Sequence, residues 1–305
     1  MKEIQSVNVI GMGALGLLYA NLIQSNVGAE SVSFLLDDQR YGKYKDTVFT
    51  INGEQKTFQM VKESQAVPVD LVIVAVKFTG LEACLKTMEK VVGPDTVIIS
   101  VLNGISSEEY IGAKFGFEKV LHTVAQAMDA MKFETSMRYT KVGELRIGYA
   151  KGGTLENLER VEAFFEKAGI PYTEEKDIIR RLWNKFMCNV GINQTCMVYG
   201  MNYSQVLAPG KANDTFIGAM KEVILISQAE GINLTLEDLQ NWVKILSSLD
   251  PEGTPSMGQD RLCKRKSEVE LFSGTVLKIA KKHGIEVPVN KWLYNQVQKI
   301  ESQYK

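Results

Sequence analysis

The chain has 305 residues with 45% apolar content, which at roughly 150 residues per domain predicts two domains with substantial cores and argues against disorder. Its 35 basic and 36 acidic residues nearly cancel, leaving no positive excess for a nucleic acid backbone or an anionic membrane. Cys84, Cys188, Cys196 and Cys263 form no C-x-x-C pair and the only histidines are His122 and His283, so no metal site or disulfide framework is expected, and acid–base chemistry falls to Lys, Asp or Glu.

Residues 4–29 run without charge, but Gln5, Asn8, Asn21, Gln24 and Asn26 interrupt the run and Lys2 is offset by Glu3. An export signal or membrane anchor is therefore not expected, and a cytoplasmic protein is. Strands are predicted at 7–10, 32–36, 71–76 and 97–102, with helices at 15–24 and 81–91. Extended segments at 120–125, 141–147 and 170–173 would widen the sheet, and Lys151-Gly152-Gly153 marks a turn before a helix at 155–168. Continuous apolar strands alternating with helices imply a parallel sheet covered on both faces. From about Asp177 the apolar spacing becomes three and four, through 178–198, 212–230, 236–249, 256–283 and 291–300, with breaks at Pro209-Gly210, Gly231, 251–255 and 284–288. The fold class is thus an α/β Rossmann-type N-terminal domain, 1–177, followed by an all-α C-terminal domain, 178–305.

Gly11-Met12-Gly13-Ala14-Leu15-Gly16 directly follows the first strand and opens the first helix. In that context Gly11 permits the tight turn, Gly13 lets the backbone approach a pyrophosphate, and Gly16 allows close helix packing, while unpaired amides face the anion. Asp37 ends the second strand about twenty residues later, where a carboxylate would reach the adenosine ribose. It favours a free 2′-hydroxyl, as in NAD, whereas Arg40 could pair with the 2′-phosphate of NADP. The two signals oppose each other, and the choice stays open at this point. Lys77 and Asn103-Gly104 follow the strands at 71–76 and 97–102, where an open parallel sheet lines its ligand crevice. Taken singly, each also reads as a solvated strand end or a plain turn.

In the helical half, Lys185, Asn189 and Asn193 recur at four-residue steps, so one helix face carries an amine and two carboxamides. Ser256 opens the helix predicted at 256–283, with Glu268 three turns along it. Spacing alone also admits plain structural roles: a surface lysine at 185, a capping box of Ser256 with Gln259, and a Glu268–Lys264 pair. His122, after a strand, competes for the acid–base role, and His283 beside Lys282 reads as a cation complementing a helix dipole.

With GMGALG, the VAVK ending at Lys77, the LNG around Asn103, LWNKFMCNVGIN around Lys185, PSMGQD around Ser256 and KSEVE around Glu268, the chain resembles the ketopantoate reductases (2-dehydropantoate 2-reductases) over nearly its whole length. The resemblance implies NADPH-dependent reduction of ketopantoate to (R)-pantoate, on the way to pantothenate and coenzyme A. Lys185 would be the general acid, and Glu268 would hold the substrate and orient that lysine. Ser256, Asn189 and Asn193 would bond substrate oxygens, and Asn103 and Lys77 would bridge cofactor and substrate. The cofactor set implied at the turn is Gly11, Met12, Gly13, Ala14, Leu15 and Gly16, joined by Asp37, Arg40, Lys77 and Asn103. Ser273-Gly274 stands where many members have Asn-Gly. Two alternatives remain: an NAD-dependent D-2-hydroxyacid dehydrogenase acting on another branched 2-keto acid, and a dinucleotide sensor without catalysis. The expected partner is a small 2-keto acid, not a nucleic acid or membrane, with a homodimer left open.

Overall fold

The computed structural model describes residues 2–304 and divides into two compact units, Met1–Ile178 and Ile179–Lys305. The first unit opens with β1 (Val7–Ile10), α1 (Ala14–Asn26), β2 (Val32–Leu36) and α2 (Asp38–Tyr44), followed by three short strands, β3 (Phe49–Ile51), β4 (Glu54–Lys56) and β5 (Gln59–Lys62). It continues through β6 (Val69–Val74), α3 (Leu81–Thr87), β7 (Val92–Ser100), α4 (Ser107–Phe115), β8 (Val120–Gln126), β9 (Met131–Phe133), β10 (Ser136–Arg138), β11 (Glu144–Gly148), α5 (Leu155–Ala168) and β12 (Tyr172–Glu174).

Eight strands form one sheet in the order β12-β11-β8-β7-β6-β1-β2-β5, and β4-β3-β10-β9 form a second. From β8 to β5 every neighbour is parallel. β11 turns back antiparallel to β8 and carries β12 parallel to itself. The central strands read as unbroken apolar runs because both faces are buried. Leu17, Ile23, Val161 and Phe165 of α1 and α5 pack on one face with Val9, Ile73 and Ile99. Leu81, Leu85 and Ile111 of α3 and α4 cover the other, with Ile10, Val72 and Ile98. Chain order runs outward from β1 in both directions, which leaves the crevice of a doubly wound sheet at the carboxyl ends of β1 and β6.

Several elements differ from the sequence reading. The strands expected at 71–76 and 97–102 lie at Val69–Val74 and Val92–Ser100, so Lys77 and Asn103 each sit three residues beyond a strand rather than at its end. Leu102 remains in the core through its own burial, which is why apolarity alone overruns the strand. The segment expected at 141–147 pairs only from Glu144 to Gly148. The sequence pattern does not predict the second sheet, β5, α2 or α4: their three- and four-residue strands and short helices carry too few apolar residues to set a period.

The second unit is helical: α6 (Ile178–Tyr199), α7 (Tyr203–Leu207), α8 (Lys211–Ala229), α9 (Leu236–Ser247), α10 (Ser256–Leu262), α11 (Thr275–His283) and α12 (Pro288–Glu301). The single helix expected over 256–283 is broken. After Leu262 the run Cys263-Lys264-Arg265-Lys266 offers no apolar face, Lys264 takes a left-handed φ of 50°, and the chain re-enters through a π-helical turn at Glu270–Gly274. Ser256 and Glu268 therefore belong to different elements. Gly191 lets α6 and α8 approach closely, since a Cβ there would lie 2.6 Å from Met220 Cγ.

The tightest steric demand in the first unit is at Gly16, whose added Cβ would fall 1.9 Å from the Gly11 carbonyl oxygen. Gly16→Ala is expected to destabilise the protein by about 1–3 kcal/mol as α1 is pushed off the turn, read as a lower urea midpoint at unchanged slope. An unchanged midpoint would mean that the turn has slack.

Candidate active site

The glycine turn has the geometry its spacing implies. Gly11 adopts φ 109° and lies so near the segment after β6 that a Cβ would meet the Ala75 carbonyl oxygen at 2.4 Å. The Ala75 amide donates to the Ile10 carbonyl at 2.8 Å, closing the turn against that neighbour. Gly13 is different: its added Cβ would find only the Ala75 oxygen, at 3.8 Å, so its face is open. Gly13 is also the N-cap of α1, with no side chain capping the helix and no acidic residue in its first turn. Unpaired amides and the positive end of the dipole thus meet an open backbone surface, the features that receive a pyrophosphate. The residues fit a dinucleotide.

Beside the turn lies a cleft of about 510 Å³, floored by Ile10, Gly11 and Met12, walled by Leu36, Asp37, Arg40, Lys43 and Tyr44 on one side and by Val76, Ala83, Cys84 and Thr87 of the β6–α3 segment on the other. Lys132 of β9, with Glu134 and Thr135 from the turn between β9 and β10, completes it. These three are invisible in the sequence because the second sheet that delivers them is. Asp37 is the N-cap of α2: its Oδ1 accepts from the Arg40 amide at 2.7 Å and its Oδ2 lies 3.4 Å from Arg40 Nε. The two signals that oppose each other in the sequence are one ion pair. The lining therefore carries three cations, Arg40, Lys43 and Lys132, against the carboxylates of Asp37 and Glu134.

Within the second unit, Lys185, Asn189 and Asn193 lie on α6. Asp238 of α9 sets the rotation of that helix, accepting from Arg180 Nη2 at 2.7 Å and from Asn184 Nδ2 at 2.9 Å. Trp242 Nε1 adds a bond to the Asn184 carbonyl at 2.9 Å. Lys185 is half-buried, and its desolvation pushes the ammonium down to about 8. The Cys188 thiol and the Glu268 carboxylate hold it up and Arg181 presses it down.

Ser256 is the first residue of α10, after Pro255 as cap, so the capping box with Gln259 does not form. Its Oγ donates to Asn193 Oδ1 at 2.9 Å, and the Met257 amide donates to the same oxygen at 3.2 Å. Asn193 Nδ2 donates to Asn189 Oδ1 at 3.4 Å. Asn193 is thus a buried link holding Ser256 and Asn189 in line. Glu268 lies two residues before the π-helical turn, its carbonyl accepting from the Leu271 amide at 2.9 Å. Glu301 of α12 anchors the preceding Ser267 through its amide at 2.7 Å. Ser273 is fully buried, bonded through its amide to Gln194 Oε1 at 3.3 Å and through its hydroxyl to Asn290 at 3.0 Å, so its place is in the packing of that turn. His122 lies within β8, not after it, and is buried there; burial pushes it down to about 4. His283 bonds Glu230.

A Rossmann-type sheet with an open glycine turn, followed by helices that present a desolvated amine, defines a dinucleotide-dependent oxidoreductase. The family described as "Ketopantoate reductase PanE/ApbA" matches residues 7–152, and its C-terminal counterpart matches 177–301. The chain belongs to the ketopantoate reductase family. A 2-dehydropantoate 2-reductase of Aquifex aeolicus is 26% identical over 303 residues, covering 96% of each chain. The crystal structure of a PanE/ApbA family ketopantoate reductase from Ralstonia eutropha JMP134 shares the fold at a TM-score of 0.84 and 20% identity, over 98% of this chain and 99% of that one. D-mandelate dehydrogenase, in complex with NADH, shares it at 0.87 and 19%, over 98% and 100%.

The contrast between the glycines yields a test. Gly13→Ala adds a methyl group in open space at an ordinary φ of −76°, so stability should change by less than about 1 kcal/mol. Dinucleotide affinity, followed by fluorescence titration, should fall about tenfold or more, some 1.4 kcal/mol. Intact affinity would remove the pyrophosphate from this turn.

Proposed function

We propose that the protein reduces ketopantoate to (R)-pantoate with NADPH, Lys185 acting as general acid. The observation that carries the reading is the half-buried amine of Lys185, held near neutrality on the helix that also bears Asn189 and Asn193. A bound nicotinamide supplies the hydride. Reduction of a ketone develops alkoxide charge, which a nearby ammonium both stabilises and protonates. Its lowered pKa suits proton donation near pH 7. Ser256 and Asn189, fixed in line by Asn193, offer hydrogen bonds to the keto acid, and Glu268 keeps enough of the lysine protonated. Lys77 and Asn103, beyond the ends of β6 and β7, serve the cofactor and the substrate.

The cofactor reading rests on the cleft beside Asp37. Its carboxylate is already engaged by the Arg40 amide and guanidinium, which weakens its claim on a ribose hydroxyl. Lys43 and Lys132 add positive charge to the same lining, which favours a 2′-phosphate. A second reading, NADH-dependent reduction of another branched 2-keto acid, is supported by the acidic residue at position 37 and by the fold shared with D-mandelate dehydrogenase. Initial rates with NADPH and NADH against ketopantoate and 2-ketoisocaproate separate the two. A strong NADH preference with poor ketopantoate turnover would replace the first by the second, and cofactor binding without turnover of either acid would leave the sensor.

Two results are expected at the lysine. Lys185→Ala should lower kcat at least about a hundredfold, a general-acid contribution, with cofactor affinity nearly intact. In the wild type, the ammonium must be protonated to act, so kcat for reduction should fall as pH rises through about 8. Glu268→Gln removes a charge that raises the lysine pKa, so this limb should move to lower pH; a limb that stays in place would separate Glu268 from Lys185.

A further inference from the structure

Beneath the first turn of α4 lies a buried polar group that the cofactor and substrate assignments do not use. Ser100, Ser107, Glu108 and His122 are each at most 2% exposed. Ser100 Oγ donates to Ser107 Oγ at 2.9 Å, Ser107 Oγ donates to Glu108 Oε2 at 2.8 Å, and the Leu102 amide donates to Ser100 Oγ at 3.4 Å. The bonds run in one direction, from amide to hydroxyl to hydroxyl, and end on a carboxyl group that must accept. Ser100 is the last residue of β7 and Ser107 the first of α4, so the chain of bonds staples together both ends of the loop 101–106, which carries Asn103. His122 flanks the staple. The register pairs Ile98 with Val120 and Ile99 with Leu121, and its next step sets Ser100 alongside His122.

Burying a carboxyl group is expensive, and here one oxygen, Glu108 Oε1, and both ring nitrogens of His122 have no hydrogen-bond partner among the described residues. Such a cost calls for a return that packing alone does not provide. Burial pushes the Glu108 carboxyl up to about 7, against the pull of the Ser107 hydroxyl, and pushes His122 down to about 4. The carboxyl is thus held well above the usual carboxylate range, and in either protonation state it accepts at Oε2.

We propose that Glu108 is a positioning residue: through Ser107 and Ser100 it fixes the loop that presents Asn103. This rests on the reading in which Asn103 serves cofactor and substrate. The test is a set of kinetic constants for Asn103→Ala, Glu108→Ala, Ser107→Ala, Glu108→Gln and the Asn103→Ala/Glu108→Ala double variant, each with its melting temperature.

Asn103→Ala and Glu108→Ala should each lower kcat/KM by about tenfold or more, and the double variant should be within about twofold of Asn103→Ala alone, since the two changes remove one function. Glu108→Gln keeps an acceptor for Ser107 and should restore kcat/KM to within about threefold of wild type. Ser107→Ala, a smaller change, should reproduce Glu108→Ala and replaces it in the comparison if Glu108→Ala does not fold. Losses that multiply in the double variant, or wild-type kcat/KM in Ser107→Ala, would overturn the staple while leaving Asn103 in its role. Wild-type kcat/KM in Asn103→Ala would overturn both.

Discussion

Helix α1 can begin where it does only because two positions lack side chains. The Gly16 α-carbon sits against the Gly11 carbonyl, and Gly11 sits against the Ala75 backbone. Any Cβ at either position would lift the helix away from the sheet. Close contact brings the amide end of α1 to the carboxyl ends of β1 and β6, at the point where strand order diverges. The positive end of a dipole, a run of unpaired N–H groups and a crevice are then superimposed. The rest of the cofactor half is arranged around that superposition: Ala75 closes the turn, α2 and α3 wall the cleft, and the loop after β7 reaches the same edge of the sheet.

The second unit solves a different problem, that of holding polar groups steady on a helix whose other faces are buried. α6 is fixed by bonds from its flank to α9 and by close approach to α8 at Gly191. Asn193 and Gln194, adjacent on α6, each reach a separate element: the start of α10 and the π-helical turn. One helix thus gathers Ser256 and the segment that starts at Glu268, although these lie on pieces of chain that do not form one helix. Desolvation of Lys185 is a product of the same packing, and so the amine is tuned by the framework that orients its neighbours.

Much of this is legible in the sequence, and the exceptions have physical causes. Buried parallel strands leave apolar runs, and the glycine turn is a local motif, so β1, β2, β6, β7 and the cofactor turn can be read directly. The α6 face is legible too, because four-residue spacing is a property of any helix. By contrast, Lys43, Lys132 and Glu134 meet through a sheet of three-residue strands that has no readable period. The break after Leu262 escapes the pattern because Leu262, Val269, Phe272 and Val276 keep intervals of seven, three and four across it. The burial of His122 and Glu108 is not legible, because a titratable residue type gives no sign of being inside and only the packed sheet puts both there. The roles of Lys185, Asn189, Ser256 and Glu268 come from resemblance to a family, since each has a structural explanation when read singly.

Asp37 shows how two properties can become inseparable in such a fold. Its carboxylate starts α2 and restrains the Arg40 guanidinium at once. During divergence, exchange for a neutral residue that still caps, such as serine, would release the arginine without unravelling the helix. Exchange for alanine would release it and weaken the helix together. A change at position 37 therefore alters the charge of the cleft and the local stability of a seven-residue helix together, unless the new residue still caps it.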